Sequence, residues 1–461
     1  MYNPEEPVFE SEVKSNVQIA YGIEDVPKPW WKTLYFALQI TLVDFTPFIW
    51  ASMFVSLAGI TNASVLPTMI SACFFCMGFC TFLQVTIGNR LPIVQGPSSA
   101  LAAAMGPAAS VYGLPAVWGA VIVGGIVEGL LGLTRIMSKI RKFLPPVVIG
   151  SVVTSIGFVA ARIAIQWTLS NQTPKYMVLA AIAFVLALIL KFKGKGLLSQ
   201  GFILITVVIV GVFGATAVGA FDWDAVAAAP WFSLPTLFPF TGLEGQSASI
   251  IELLPLAILG VFAGYVGSIF ESVGDYAATC GACNETYRVK HVDRGIMAEG
   301  FGCALVPLFG GLPCTSYTQN IGIISATGVC SRVVTMVAAG LFVLYSICPK
   351  LAYILSGIPR PVIGAVFLIT AATIMFSGID TITSDKRTLK NTLIAGVTLS
   401  VAVMLPYHCA STYADWAANL PSFFNMLVTS PTFLAVVVGV IMNLVLNHAL
   451  KSKNDEEEKD V

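Results

Sequence analysis

Apolar segments long enough to cross a bilayer follow one another along almost the whole chain, about fourteen of them between residues 34 and 449. A full crossing needs ~20 consecutive apolar residues. Water does not reach the hydrocarbon, so every backbone N–H and C=O in such a segment must find its partner within the protein. Of the 461 residues, 56% are hydrophobic and only 11% charged, which is the usage of a polytopic membrane protein and not of a soluble domain.

Two segments depart from this pattern. The third, 91–105, and the tenth, 313–328, are shorter than a full crossing and interrupted by Pro, Gly and small polar residues. The third carries Pro92, Gln95, Gly96, Pro97, Ser98 and Ser99; the tenth begins at Pro313 and carries Thr318, Gln319, Asn320 and Gly322. Non-helical backbone survives at membrane depth only where it is buried in protein or lines a wet cavity. Broken segments in corresponding places of two halves point to a transporter's binding site.

The two halves echo one another. Gly78-Phe79 followed by Leu91-Pro92 returns as Gly300-Phe301 followed by Leu312-Pro313, and the stretch 145–152 around Gly150 returns as 359–366 around Gly364. Seven spans per copy is an odd number, so the second copy is expected upside down. The predicted fold is an all-α membrane protein of fourteen spans, two inverted seven-span repeats with broken half-helix spans 3 and 10. Lys and Arg set the orientation. Loops after odd-numbered spans hold only Arg162, Lys175, Lys350 and Arg360, whereas those after even-numbered spans hold most of the rest, including Arg135, Lys139, Arg141 and Lys142. Both termini are expected in the cytoplasm, with no cleavable signal peptide and a solvated charged tail at 451–461.

Carboxylates inside a membrane are costly and mark function by default. Asp44 falls in span 1, Glu128 in span 4, Glu271 and Asp275 in span 8, and Glu299 early in span 9. Glu271 and Asp275 are one helical turn apart and share a face. Two such neighbours repel when both are charged, which suits a site that loads and releases a proton.

The stretch Gln319-Asn320, Gly322, Thr327-Gly328 resembles the signature of the nucleobase–ascorbate transporter family, the uracil and xanthine permeases. The segments at 21–25, 91–97, 143–150, 229–235, 294–300 and 376–379 extend the resemblance from Tyr21 to Asn447. It implies a core domain of spans 1–4 (34–144) and 8–11 (250–349). It also implies a gate of spans 5–7 with the extracellular loop (145–249) and spans 12–14 (350–450), between an N-terminal segment 1–33 and the tail 451–461. The span-8 motif around Glu271 implies a hydrogen bond from the base to that glutamate, with Asp275 at a position linked to proton coupling and Glu299 acting at one remove. Gln319 stands where the family reads its substrate. A carboxamide both donates and accepts, matching the adjacent N–H and C=O of an oxidised purine. Within the family, Gln there goes with xanthine or uric acid, Glu with uracil and Pro with ascorbate. Asn320 is expected to brace the broken backbone, and N–H groups around Ser98, Ser99 and Thr318 at half-helix ends to meet the base's carbonyl oxygens.

One departure stands out. The family commonly has Gln-His in span 1, and the matching pair here is Gln39-Ile40, with Asp44 one turn further on. Asp44 is therefore a candidate to join Glu271 and Asp275 in binding H+ or Na+ where span 1 meets span 8. Glu128 matches no functional position of the family and is expected to make a helix–helix hydrogen bond.

The expected activity is proton-coupled symport of a purine base of the xanthine or uric acid class by alternating access in the plasma or inner membrane, by a homodimer with no cofactor. The alternatives are uptake of uracil or another nucleobase with Na+, or anion exchange on the same fold, which Glu271 in the site disfavours. No catalytic triad, metal set or phosphate loop suggests an enzyme. Net charge is zero, so no nucleic-acid partner is indicated. Cys280 and Cys283 have CxxC spacing, but no second pair completes a zinc set.

Overall fold

The computed structural model describes residues 18–135, 145–242, 249–384 and 387–449. Lys139, Arg141 and Lys142 of the basic cluster, residues 1–17 and the tail 451–461 lie outside these. Eight helices among the described residues are long and apolar enough to cross a bilayer, or nine if Arg332–Ser346 and Pro349–Ser356, bent by 79°, form one span. These are fewer than the fourteen apolar segments because several segments are broken or short.

The first segment is α1 (Trp30–Val43) and α2 (Pro47–Leu57), interrupted at Asp44, Phe45 and Thr46. After α3 (Val65–Thr86), the third segment is a short strand, β1 (Gln95–Pro97), running into α4 (Ser99–Tyr112), with α5 (Leu114–Leu133) following. Then come α6 (Pro146–Thr168) and α7 (Pro174–Lys193). In the second half, α8 (Pro255–Ala282) and α9 (Val289–Leu305) precede β2 (Cys314–Ser316) and α10 (Thr318–Thr327). Next are α11 (Arg332–Ser346), α12 (Arg360–Thr383), α13 (Leu389–Ser411) and α14 (Pro431–Asn443).

Proline opens several of these helices, at Pro47, Pro115, Pro174, Pro255 and Pro431, where its missing N–H costs no hydrogen bond. On α7, Val178, Ile182, Val185 and Ile189 are exposed at helical spacing, as on a face turned to lipid. The all-α expectation needs one correction. β1 and β2 pair antiparallel, Gln95 with Ser316, Gly96 with Thr315 and Pro97 with Cys314. Two prolines and small polar residues break the helices here, and the freed backbone groups satisfy each other across the pair.

By its contacts the chain divides into two units, Met1–Ser138 with Ile163–Ile369, and Lys139–Arg162 with Thr370–Val461. In the first, glycines bring helix backbones together. A Cβ on Gly78 of α3 would stand 2.6 Å from the Ala339 carbonyl oxygen of α11 and 3.0 Å from the Val343 nitrogen. One on Gly300 of α9 would stand 2.2 Å from the Gly129 nitrogen and 2.7 Å from the Gly125 oxygen of α5. Helix α8 packs on α4, α5, α9, α10 and β2, while α1 packs chiefly on α11. A Cβ on Gly364 would meet the Ala164 oxygen at 2.5 Å and the Thr168 nitrogen at 2.6 Å.

In the second unit, a Cβ on Gly150 would meet the Gly378 oxygen at 2.5 Å and the Ile382 nitrogen at 2.6 Å. Val147, Val148, Ile394 and Ala395 form a buried cluster there, with Ile382 and Val440 against it.

Candidate functional site

The site is built where the two broken segments cross. The Ser98 N–H donates to the Pro313 oxygen and the Tyr317 N–H to the Val94 oxygen, both at 2.9 Å, extending the short pairing at either side. Each strand runs directly into a half-helix, so the N-termini of α4 and α10 both lie at the crossing. The unpaired N–H groups of a helix N-terminus attract polar and anionic groups. Thr81 ties β1 to α3: its hydroxyl accepts from the Gln95 N–H at 2.9 Å and donates to the Gln95 oxygen at 3.1 Å.

Helix α8 supplies the acidic face. Asp275, 5% exposed, accepts from the Ser316 hydroxyl at 2.7 Å and the Thr318 hydroxyl at 2.9 Å. It is thus clamped by the end of β2 and the first residue of α10. Glu271, one turn earlier, is half-buried and has no hydrogen bond among the described residues. Gly274 on the same helix is exposed, with nothing within 4 Å of the position a Cβ would take. On α10, Thr318, Gln319 and Gly322 are exposed, and Gly322 likewise faces open space. Two open helix faces, one bearing Glu271 and the other Gln319, therefore begin from the Asp275–Thr318 contact.

Behind this face lies a hydroxyl network. The Ser272 hydroxyl accepts from the Ser316 N–H at 3.2 Å and reaches both Glu299 oxygens at 2.7 Å. Tyr276 donates to Glu299 at 2.8 Å and accepts from the Gln84 amide at 2.8 Å. Glu299 is 1% exposed, and these donors compensate its burial. One serine thus joins the backbone of β2 to a buried carboxylate on α9.

Asn320 is fully buried and its amide donates to the Pro92 oxygen at 2.6 Å, bracing the chain that enters β1. Ser98 is engaged within the crossing. Its N–H is taken by Pro313, and its hydroxyl caps α4 by accepting from the Leu101 N–H at 3.3 Å. The strand pairing uses the donor that an isolated half-helix would have left free. Ser99, 8% exposed, is the first residue of α4. The aromatic ring at the crossing is Tyr317, whose hydroxyl lies 3.2 Å from the Thr46 hydroxyl and 3.3 Å from the Pro97 oxygen.

Asp44 lies at the break between α1 and α2, two residues before Thr46, whose hydroxyl meets Tyr317 at the crossing. It caps α1, is fully buried, and neither of its oxygens has a hydrogen-bond partner. No hydrogen bond joins Asp44 to Glu271 or Asp275 among the described residues. Glu128 also departs from expectation: it makes no helix–helix hydrogen bond, and both its oxygens are buried without a partner. Its helix meets α9 through glycine backbones, which offer it no side-chain donor. Among the described residues no group of three or more His, Cys, Asp and Glu could hold a metal ion.

Ser272, Ser316, Tyr276 and Gln84 were not among the sequence candidates. Serines and tyrosines are common in such segments, and only the i, i+4 spacing of Ser272 and Tyr276 on α8 places them on one face.

The N-terminal segment also reaches the signature. Ala20 and Tyr21 N–H groups donate to the Gly328 oxygen at 2.8 and 3.2 Å, and the Cys330 N–H donates to the Tyr21 oxygen at 2.9 Å. Glu24 then bridges Arg332 at 2.6 Å and Arg90 at 3.2 Å. The Arg332 hydrogen bond holds the Glu24 carboxyl below the usual glutamate range despite partial burial, with Arg90 assisting.

A family model described as a permease family matches residues 31–411. A Clostridium perfringens protein named as a purine permease is 30% identical over 96% of this chain and 98% of its own. The Bacillus subtilis uric acid permease PucK is 27% identical over 90% of this chain and 95% of its own. The Bacillus subtilis xanthine permease is 27% identical over 93% and 97%. Among solved structures, the transmembrane domain of a cyanobacterial bicarbonate transporter, BicA, superposes with a TM-score of 0.60 at 14% identity. That match covers 92% of this chain and 99% of the other, a likeness of fold alone.

Proposed function

The chain belongs to the nucleobase–ascorbate transporter family of permeases, and on that premise we propose that it takes up a purine base of the xanthine or uric acid class together with a proton. The observation that carries this reading is the Asp275–Thr318 contact, from which the Glu271 and Gln319 faces open. Glu271 would accept from an N–H of the base, Gln319 would pair with its adjacent N–H and C=O, and the half-helix N-termini would receive its carbonyl oxygens. The names of the uric acid and xanthine permeases support the purine class.

Inverted repeats are part of the proposal. The echoed glycines support them, because Gly78 and Gly300 each meet a helix backbone, at Ala339 and Val343 in one case and Gly125 and Gly129 in the other. Gly150 and Gly364 behave likewise, and β1 and β2 pair antiparallel. On this reading, spans 1–4 and 8–11 (34–144 and 250–349) form a core that moves against a gate (145–249 and 350–450) by alternating access. The termini are cytoplasmic, and a homodimer sits in the plasma or inner membrane. Glu271 and Asp275 would carry the coupling proton, with Glu299 behind them and Asp44 a further candidate to bind the coupling ion.

Proteoliposome uptake tests the proposal, with xanthine, uric acid, uracil, ascorbate and sulphate as competitors. The pH gradient and then the Na+ gradient are imposed at fixed membrane potential. Xanthine or uric acid should compete best, and accumulation should follow the pH gradient. Competition by sulphate alone would overturn the substrate class, and accumulation that follows Na+ and ignores pH would overturn proton coupling.

A further inference from the structure

Glu128 has no part in the site as described, yet it is a buried carboxyl without a donor. It lies on α5, is 1% exposed, and neither of its carboxyl oxygens meets a donor. The seam it occupies is closed by backbone. A Cβ on Gly125 would stand 2.6 Å from the Ala304 nitrogen, and one on Gly300 would stand 2.8 Å from the carbonyl carbon of Glu128 itself. The residue beside Gly300 is Glu299, also 1% exposed, so two buried carboxyls belong to the same helix seam.

Buried titratable groups on the neighbouring helices include Cys80 of α3, Cys303 of α9, and Tyr265 and Tyr276 of α8. None of these is a cation. Tyr265 donates to the Val121 oxygen at 2.8 Å and Tyr276 to Glu299 at 2.8 Å, so neither hydroxyl proton is free for Glu128. Two uncompensated negative charges in one dry helix seam are costly to hold. Glu299 has Ser272 and Tyr276 to stabilise a charge, and Glu128 has nothing.

We propose that Glu128 and Glu299 hold one proton between them and exchange it during transport, which makes Glu128 a further proton-binding residue of the carrier. The proton rests on Glu128 while Ser272 and Tyr276 donate to Glu299. Ser272 is also the hydroxyl that receives the Ser316 N–H at the end of β2. Movement of β2 when the base binds or leaves therefore alters a donor to Glu299, and with it how the pair shares the proton. The substrate crossing and the α5–α9 seam are linked through this one serine.

The inference rests on the proton-coupled reading above for its role in transport. Its test is infrared difference spectroscopy of the purified protein across pH, alongside uptake driven by an imposed pH gradient. The expected wild-type result is a pH-dependent C=O band of a buried carboxylic acid that is absent in Glu128→Gln and shifted in Glu128→Asp. Glu128→Gln should lower pH-driven accumulation at least tenfold, with substrate counterflow as the control for folding. If Glu128→Gln does not fold, the Glu128→Asp band decides, and a band at the wild-type frequency overturns the proposal. A Glu128→Gln carrier that accumulates substrate like the wild type with the same pH profile also overturns it. Wild-type uptake that ignores the pH gradient overturns the coupling reading instead, and the infrared band still decides whether the pair shares a proton.

Discussion

The ring of Tyr317 lies across Gly96 so closely that a Cβ on Gly96 would stand 2.3 Å from its Cζ atom. No side chain fits there without displacing the ring or the strand. Since Gly96 pairs with Thr315 in the crossing, the contact fixes how the two broken segments sit. Gly96→Ala should cost about 1–3 kcal/mol of stability, as overpacking of a filled interior does. Thermal unfolding in detergent measures it, and an unchanged Tm would mean that Tyr317 has another place to go.

Gln319 is exposed on α10 next to the Thr318–Asp275 contact. Gln319→Glu puts an acceptor where the purine carbonyl needs a donor. The lost hydrogen bond should cost about 1–3 kcal/mol, roughly five- to 150-fold in affinity for xanthine or uric acid, with uracil as the gain to look for. Equilibrium binding reads this directly. Unchanged purine affinity removes Gln319 from the site.

Glu271 has no hydrogen bond within the described protein, whereas Asp275 has two. The carboxylate without a partner is the one left for the base. Glu271→Gln should nearly abolish uptake by replacing an acceptor and removing a proton-binding group, while leaving Tm close to that of the wild type. Wild-type accumulation with normal pH dependence would refute the role.

The strap at residues 18–25 separates electrostatic from steric effects. Gly328 has φ +67°, and a Cβ there would stand 2.2 Å from the Gln18 oxygen. Gly328→Ala should cost about 1–3 kcal/mol for backbone strain alone and release the strap. Glu24→Gln removes the ion pairs to Arg332 and Arg90; the Glu24 side chain is 62% exposed, so each is worth about 0–1 kcal/mol. Because the Glu24 carboxyl is held below its ordinary range, its contribution is present at neutral pH and lost as pH falls through that lowered value. Limited proteolysis at neutral pH should expose the N-terminus strongly in Gly328→Ala and weakly in Glu24→Gln. The reverse order would show that charge, not fit, holds the strap.

The sequence by itself determined the membrane class, the breaks in the third and tenth segments and most of the polar residues worth testing, but not the break at Asp44–Thr46. Hydropathy, Pro and Gly act locally, so they are legible along the chain. The turn spacing of Glu271 and Asp275 likewise needs only the helix period. What those residues touch was decided by tertiary structure. Pairing of β1 with β2 took the Ser98 donor that a lone half-helix would have offered, and supplied Ser316 to Asp275 and Ser272. The break between α1 and α2 left Asp44 buried without a hydrogen bond, and the glycine seam between α5 and α9 left Glu128 without a donor. Each outcome depends on which distant backbone groups compete for the same hydrogen bond, and no local pattern of residues records that competition.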